Sequence, residues 1–280
     1  VTMGLLNELI GANFTDPRLP IILDYPGLTL GSLALMDVSE IPADFDFSGV
    51  GKNIPLNNLA SKEAATLTGK TKAELEFSWN NTLITTGATP EAKFERTPRG
   101  GVHGIVSLVN QTLGHRGRFT CPGIMPYIAE HQNDHKFAVF AHYQVTRVGS
   151  GTPATQTTEM LIATQVSPSA NRLIVGRLPN AVSAGPALFS LQSDKNGNDF
   201  TGSIYYQDLP VWGAASGFGS LVNNACKSYV LYRLHLVDID ASGMSFAEIA
   251  ATEQQVFSAN FGEGGKYAGD SIPTSPAALP

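Results

Sequence analysis

With 280 residues, 42% of them hydrophobic and only 15% charged, the chain can bury a large core, and 28 glycines and 17 prolines favour strands and loops over a helical fold. A net charge of -6 with no basic run argues against nucleic acid as a partner, and no apolar stretch reaches the roughly 18 residues of a membrane helix. Two cysteines, Cys121 and Cys226, are too few for a disulfide framework and read as buried free thiols.

Residues 1–30 read as an irregular N-terminal arm. Leu5, Leu6, Leu9 and Ile10 suit a short amphipathic helix ending at Gly11, and Pro17, Pro20 and Pro26 then exclude regular helix or central strand. Such an apolar arm would pack on its own domain or on a neighbouring subunit. No basic stretch followed by an apolar core marks a secretion signal.

Residues 32–38 form the first expected strand. Residues 61–67 suit a short helix with Ser61 as cap and Gly69 as stop. Over residues 71–79, Glu74, Glu76 and Ser78 alternate with Leu75, Phe77 and Trp79, as in a strand. Further strands are expected at 102–109, 137–147, 159–166, 171–177, 187–192 and 202–207, separated by turn residues and not by helices. This spacing predicts a mostly β, antiparallel jelly-roll β-sandwich.

The best-defined stretch comes last. Residues 229–239 alternate Val230, Tyr232, Leu234 and Leu236 against Leu231, Arg233, His235 and Val237. Asp238, Asp240, Ser242 and Gly243 supply a turn, and Ser245 with Glu248 forms a capping box for a C-terminal helix over 246–261. Phe246, Ile249, Ala250, Val256 and Phe257 give that helix an apolar face, and Gly262 is placed to end it in the left-handed conformation. The sandwich therefore covers 31–272, with the first and last strands as neighbours and the helix over an edge or outer face. Residues 273–280, holding Pro273, Pro276 and Pro280, form an extended tail.

Few patterns carry chemistry. Asp194, Asn196 and Asn198 offer alternating oxygen ligands for calcium, but the Asn196-Gly197 step is also a hairpin signal, and the plain hairpin is preferred. His131 and His135 would face one way on a helix, as a zinc pair requires; Asn133 and the following strand favour a solvated turn. The basic cluster His115, Arg116, Arg118 can meet an anion or simply pair with nearby carboxylates. Glu74 and Glu76 would share a strand face, as paired carboxylates do in glycosidases, yet a solvated face is the simpler reading. Tyr205, Tyr206 and Trp212, with Phe218, can stack on sugars or fill the core. No nucleophile elbow, P-loop or dinucleotide fingerprint occurs. The expectation is a protein that is not an enzyme and has no resident cofactor beyond a candidate calcium.

Two segments carry a resemblance. Val237-Asp238-Ile239-Asp240, then Ala241-Ser242-Gly243, Ser245-Phe246-Ala247-Glu248, a helix and Gly264-Gly265-Lys266-Tyr267-Ala268-Gly269-Asp270 form the first. Asn13-Phe14-Thr15-Asp16, Leu19-Pro20 and Gly31-Ser32-Leu33-Ala34-Leu35 form the second. Together, over about a third of the chain, they resemble concanavalin A-like (LamG-like) jelly-roll virion proteins of tailed bacteriophages. The resemblance implies a virion structural role as a tail, baseplate, fibre or capsid-decorating component, assembled in the host cytoplasm. It implies partners among other virion proteins, copies of itself and host surface glycan, and it brings no catalytic residues.

Overall fold

β-Branched and aromatic residues at alternate positions place much of the chain in short strands, and the computed structural model describes residues 25–49, 53–112, 114–149, 157–164, 172–193, 204–213 and 225–280. Among these the strands are β1 (Ser32–Asp37), β2 (Asn53–Leu56), β3 (Phe77–Asn81), β4 (Ala92–Arg96), β5 (Val102–Val106), β6 (Arg116–Thr120), β7 (Phe137–Arg147), β8 (Met160–Thr164), β9 (Arg172–Gly176), β10 (Ala187–Gln192), β11 (Ile204–Asp208), β12 (Val211–Gly213) and β13 (Ser228–Asp238). The α-helices are α1 (Ser61–Thr68), α2 (Met125–His131), α3 (Ile239–Ser242) and α4 (Phe246–Phe261). No described helix is long and apolar enough to cross a membrane.

All strand pairs among the described residues are antiparallel. The largest sheet runs β10-β7-β13-β5-β4, and β1 also joins β13. β13 is long enough to pair with β5 through Tyr229–Leu231 and with β1 through Arg233–Val237 on one edge, while β7 follows it along the other. The first and last strands are therefore neighbours, as expected. A four-stranded sheet, β12-β6-β3-β2, and a three-stranded sheet, β11-β8-β9, complete the β structure. Their buried faces meet the largest sheet in one core, where Phe77, Trp79, Phe119, Met160, Ile174 and Trp212 pack with Tyr229, Leu231, Leu234 and Leu236. The fold is thus mostly β and sandwich-like, closed by a C-terminal helix.

Every residue of β13 is buried, because both of its faces are covered. The simple alternation expected for this strand does not hold throughout. Leu231 and Arg233 pair with the adjacent residues Tyr143 and His142 of β7, so Tyr232 is the extra residue of a β-bulge. The bulge shifts the pattern by one. Tyr229, Leu231, Leu234 and Leu236 face the inter-sheet core; Val230, Tyr232 and Val237 face the outer layer with Tyr267, Phe261 and Ile249. That outer layer is α4 and the segment after it.

α4 begins as the capping box requires. The Glu248 amide donates to Ser245 Oγ at 3.3 Å, and Ser245 N and Oγ donate to Glu248 Oε2 at 2.8 and 2.7 Å. Ser245→Ala is expected to cost about 1 kcal/mol in chemical denaturation, while Ser245→Asp keeps most of the stability. Gly262, in contrast, is not left-handed: its φ is -69°, its amide closes the last turn on Ser258 O, and the left-handed residue is Gly264 at φ 77°. The tail is not extended throughout, since Pro276–Ala278 form a 3-10 turn capped by Ser275, and it is tied down as well. Thr274 donates to Glu95 at 2.7 Å, Leu108 N and Ser107 Oγ donate to Pro280 O, and Arg147 donates to Leu279 O.

Other expectations are corrected locally. Residues 71–76 do not continue the strand. Thr71 N donates to Glu74 Oε2 at 2.9 Å, and this capping box starts a 3-10 turn over Lys72–Leu75; only from Phe77 does the chain join the sheet. Ser61 is the first helical residue rather than the cap. Asn58 holds the entry instead, its Oδ1 accepting from Ala60 N at 3.0 Å and Leu35 N at 2.9 Å.

Candidate functional site

Two groups of polar side chains stand out, one sealed and one open. The sealed group lies between the outer face of the largest sheet and α4. Beyond the bulge, β13 turns Arg233 and His235 outward, β7 contributes His142, and α4 brings down Glu253 between its apolar residues Ile249 and Val256. Glu253 Oε1 accepts from His235 Nδ1 at 2.7 Å and Arg233 at 3.1 Å. His142 Nε2 lies 3.5 Å from Glu253 Oε2, within ion-pair range but without hydrogen-bond geometry. Ser32 Oγ sits 2.9 Å from His235 Nε2, so a neutral ring donates to Glu253 from Nδ1 and accepts from Ser32 at Nε2. Burial alone would raise the Glu253 pKa, but the two imidazoles and the guanidinium outweigh it and hold the carboxyl well below its ordinary range. Burial holds His142 and His235 below theirs, against the pull of Glu253. The group is enclosed and fastens α4 to the sheet.

The open group sits where α2 runs into β7. His131 ends α2, and the amide of His135 donates to His131 O at 3.0 Å. That i+4 bond continues the helical path past the last regular residue. The two imidazoles therefore do come together, stacked with centroids 4.2 Å apart and planes 23° from parallel. Residues 132–134 are a turn with solvent-accessible side chains, as expected, and across that turn the two rings are brought together. Asp134 Oδ2 lies 3.5 Å from His131 Nδ1. Behind the pair, Asp238 at the end of β13 is fully buried and takes three donors: His135 Nδ1 at 2.6 Å, Tyr127 Oη at 2.8 Å and the Ala241 amide at 2.9 Å. Desolvation would lower the His135 pKa, but the bond to Asp238 and its charge prevail and raise it. Burial, reinforced by Asp238, pushes the Tyr127 phenol up. Beside the pair lies a hollow of ≈ 290 Å³ lined by Asp134, His135, Lys136, Leu173, Gln192 and Ser193.

The sequence-derived candidates are distributed differently. Asp194, Asn196 and Asn198 lie outside the described residues, as does Phe218. Tyr205 and Tyr206 belong to β11, and their side chains are likewise outside the description. Trp212 is fully buried: its ring stacks on Tyr229 at 4.5 Å and its Nε1 donates to Tyr229 O at 3.1 Å, so it presents no face to a sugar. The cluster around His115 is strand and strand entry, and is spent inside the chain: His115 meets Glu91 at 2.8 Å and Arg118 meets Asp208 at 2.9 Å. Glu74 belongs to the 3-10 turn and Glu76 follows it, so they form no paired site on a strand. Cys121 and Cys226 are free and buried, with burial pushing each thiol up to about 12.

No family model matches the chain, and no curated protein matches it. Among solved structures it is similar to Trypanosoma rangeli sialidase in complex with sialic acid, at 9% identity and a TM-score of 0.33. The alignment covers 82% of this chain and 34% of the sialidase, so the chain spans about a third of that protein's length. A likeness at that score defines neither a family nor an activity.

The sealed group was not legible as a site from the sequence, although a signal for it existed. Arg233 and His235 interrupt an apolar strand, and Glu253 falls four residues after Ile249 and three before Val256 on the apolar stripe of α4. Charges on two faces that must meet are the mark of a buried ion cluster.

Proposed function

We propose that this chain is a structural component of a tailed-phage virion, a jelly-roll sandwich that works through contacts with copies of itself and other virion proteins and not through catalysis. The observation that supports this most is the use of three acidic side chains at the outer face of the largest sheet. Glu253 fastens α4, Asp37 holds Lys266 and Tyr267, and Glu95 holds Thr274. These side chains tie the helix and the C-terminal segment to the sheet, which suits a subunit that works through its surfaces. Within the expected arm of residues 1–30, Tyr25 and Leu28 pack on Leu35, Leu59 and Ala60 of the same chain, which leaves residues 1–24 as the segment whose composition suits an intersubunit contact.

Light scattering coupled to gel filtration tests this reading. The full chain is expected to form a defined oligomer, and the chain lacking residues 1–24 is expected to be a monomer with unchanged circular dichroism. A full chain that stays monomeric, or an oligomer indifferent to the deletion, would overturn the arm-mediated assembly. Specific capture by a glycan array from the monomeric form would replace it with a receptor-binding role.

A further inference from the structure

We propose that His131, Asp134 and His135 form a binding site for a borderline divalent cation of the zinc class. The inference is independent of the virion reading. One ligating atom from each of the three residues lies within 4.8 Å of the other two. A tetrahedral ion with bonds of about 2.0–2.1 Å sets its ligand atoms about 3.4 Å apart, so side-chain rotation of about 1 Å completes the set. The geometry is built and not incidental in three respects.

First, the orientation of one ligand is fixed from behind. Asp238 takes the Nδ1 proton of His135 at 2.6 Å, which leaves Nε2 as the lone pair free to bind a metal. Asp238 is itself locked by Tyr127 and by the first turn of α3. A carboxylate behind a ligating imidazole both orients the ring and raises its basicity.

Second, His131 Nδ1 is shielded from solvent and has no hydrogen-bond partner, although its ring is held between Tyr127 at 4.5 Å and His135 at 4.2 Å. That nitrogen lies 3.5 Å from Asp134 Oδ2, within ion-pair range but without hydrogen-bond geometry, and an ion held between the two would satisfy both.

Third, the site is reachable and has room for a fourth ligand. The side chains of His131, Asp134 and His135 are 25%, 63% and 24% exposed, and Asp134 and His135 line the adjacent hollow. Water in that hollow would complete a tetrahedron. Two imidazoles with one carboxylate suit zinc, cobalt or nickel, whereas calcium and magnesium require oxygen ligands throughout. The bound ion would join the end of α2, the turn before β7 and, through Asp238, the end of β13.

Isothermal titration of the chelator-treated full chain with zinc chloride tests the site. One ion per chain is expected to bind with an affinity on the order of micromolar, and to raise Tm in a way that excess chelator reverses. Magnesium and calcium are expected to leave the zinc isotherm unchanged. Asp134→Asn, at an exposed position, and His131→Gln are each expected to weaken zinc about tenfold or more with the metal-free Tm little changed. His115→Gln, at the other accessible histidine, should leave affinity intact. Absence of saturable binding up to about 1 mM zinc overturns the proposal. So does binding that is unaffected by Asp134→Asn and His131→Gln, which would place the ion elsewhere.

Discussion

Glu253→Ala is expected to remove about 3–5 kcal/mol of stability, the loss typical when one partner of a buried ion pair is deleted. The reason is not the strength of the bonds but what remains. Arg233 would keep its charge under α4, with Pro26 O at 2.8 Å left to accept from it, and His235 would lose the acceptor for Nδ1. For a chain of this length the fall in Tm is on the order of 10 °C. Replacing both ions, as Glu253→Leu with Arg233→Met, is expected to cost less than the single change, because no orphaned charge is left. Urea denaturation of the three proteins decides this. If the double variant is the less stable, the cluster holds the fold by attraction and the desolvation argument fails.

The same cluster sets an acid limit. His142 and His235 have folded pKa values below their unfolded ones, so the unfolded chain takes up protons first. Their contribution is complete above the ordinary histidine value of about 6.5 and is lost as pH falls through it toward the folded values. Glu253, held low, contributes fully above about 4.3 and loses that contribution as pH falls toward its own folded value. Stability should therefore decline in two stages on the acid side. The groups facing His142 are Glu253, Arg233 and Asp37, with the rings of Phe257 and Phe261 at 5.2 and 6.0 Å. Tm measured from pH 8 to pH 4 should show a shallower first stage in His142→Leu, which also removes two buried nitrogens that lack partners. An unchanged first stage would assign the acid sensitivity to other groups.

The legible part of the fold was the part set by local pattern. β7 and β10 appear at the boundaries their alternation dictates, and α4 begins at Ser245 because hydroxyl, amide and carboxylate are all supplied within four residues. β2 and β12 were not legible for physical reasons. β2 carries Pro55, tolerable because it is an edge strand, and β12 has only three residues, too few for a period. The open cluster was half visible. The His131–His135 spacing can be read directly, but whether it is helical depends on one backbone bond beyond α2, and Asp238, which orients His135, lies 103 residues away. In the sequence Asp238 reads as a turn residue, and it is one; its second oxygen does the positioning. The bulge at Tyr232, which sends Arg233 and His235 to the outer face together with Val237, is set by pairing to β7 and has no signature within β13 itself.

Trp212→Ala is expected to cost about 3–5 kcal/mol, since the indole is the keystone of the aromatic core and not a surface platform. It stacks on Tyr229 with planes 9° apart, meets Phe94 edge-on at 5.6 Å and Trp79 at 5.9 Å, and is completely buried. Its position also explains why β5 carries a glycine opposite Tyr229. A Cβ on Gly104 would stand 2.3 Å from Trp212 Nε1 and 2.4 Å from Cδ1, so the strand must leave that space to the ring. Gly104→Ala alone should therefore cost about 1–3 kcal/mol by overpacking. In the Trp212→Ala background the same change should be nearly neutral, because the colliding ring is gone. The double-mutant cycle is expected to return a coupling of about 1 kcal/mol or more by denaturant unfolding. Additive costs would show that the strand relaxes away from the indole. A Trp212→Ala protein of full stability would return the residue to the surface, where a sugar could stack on it.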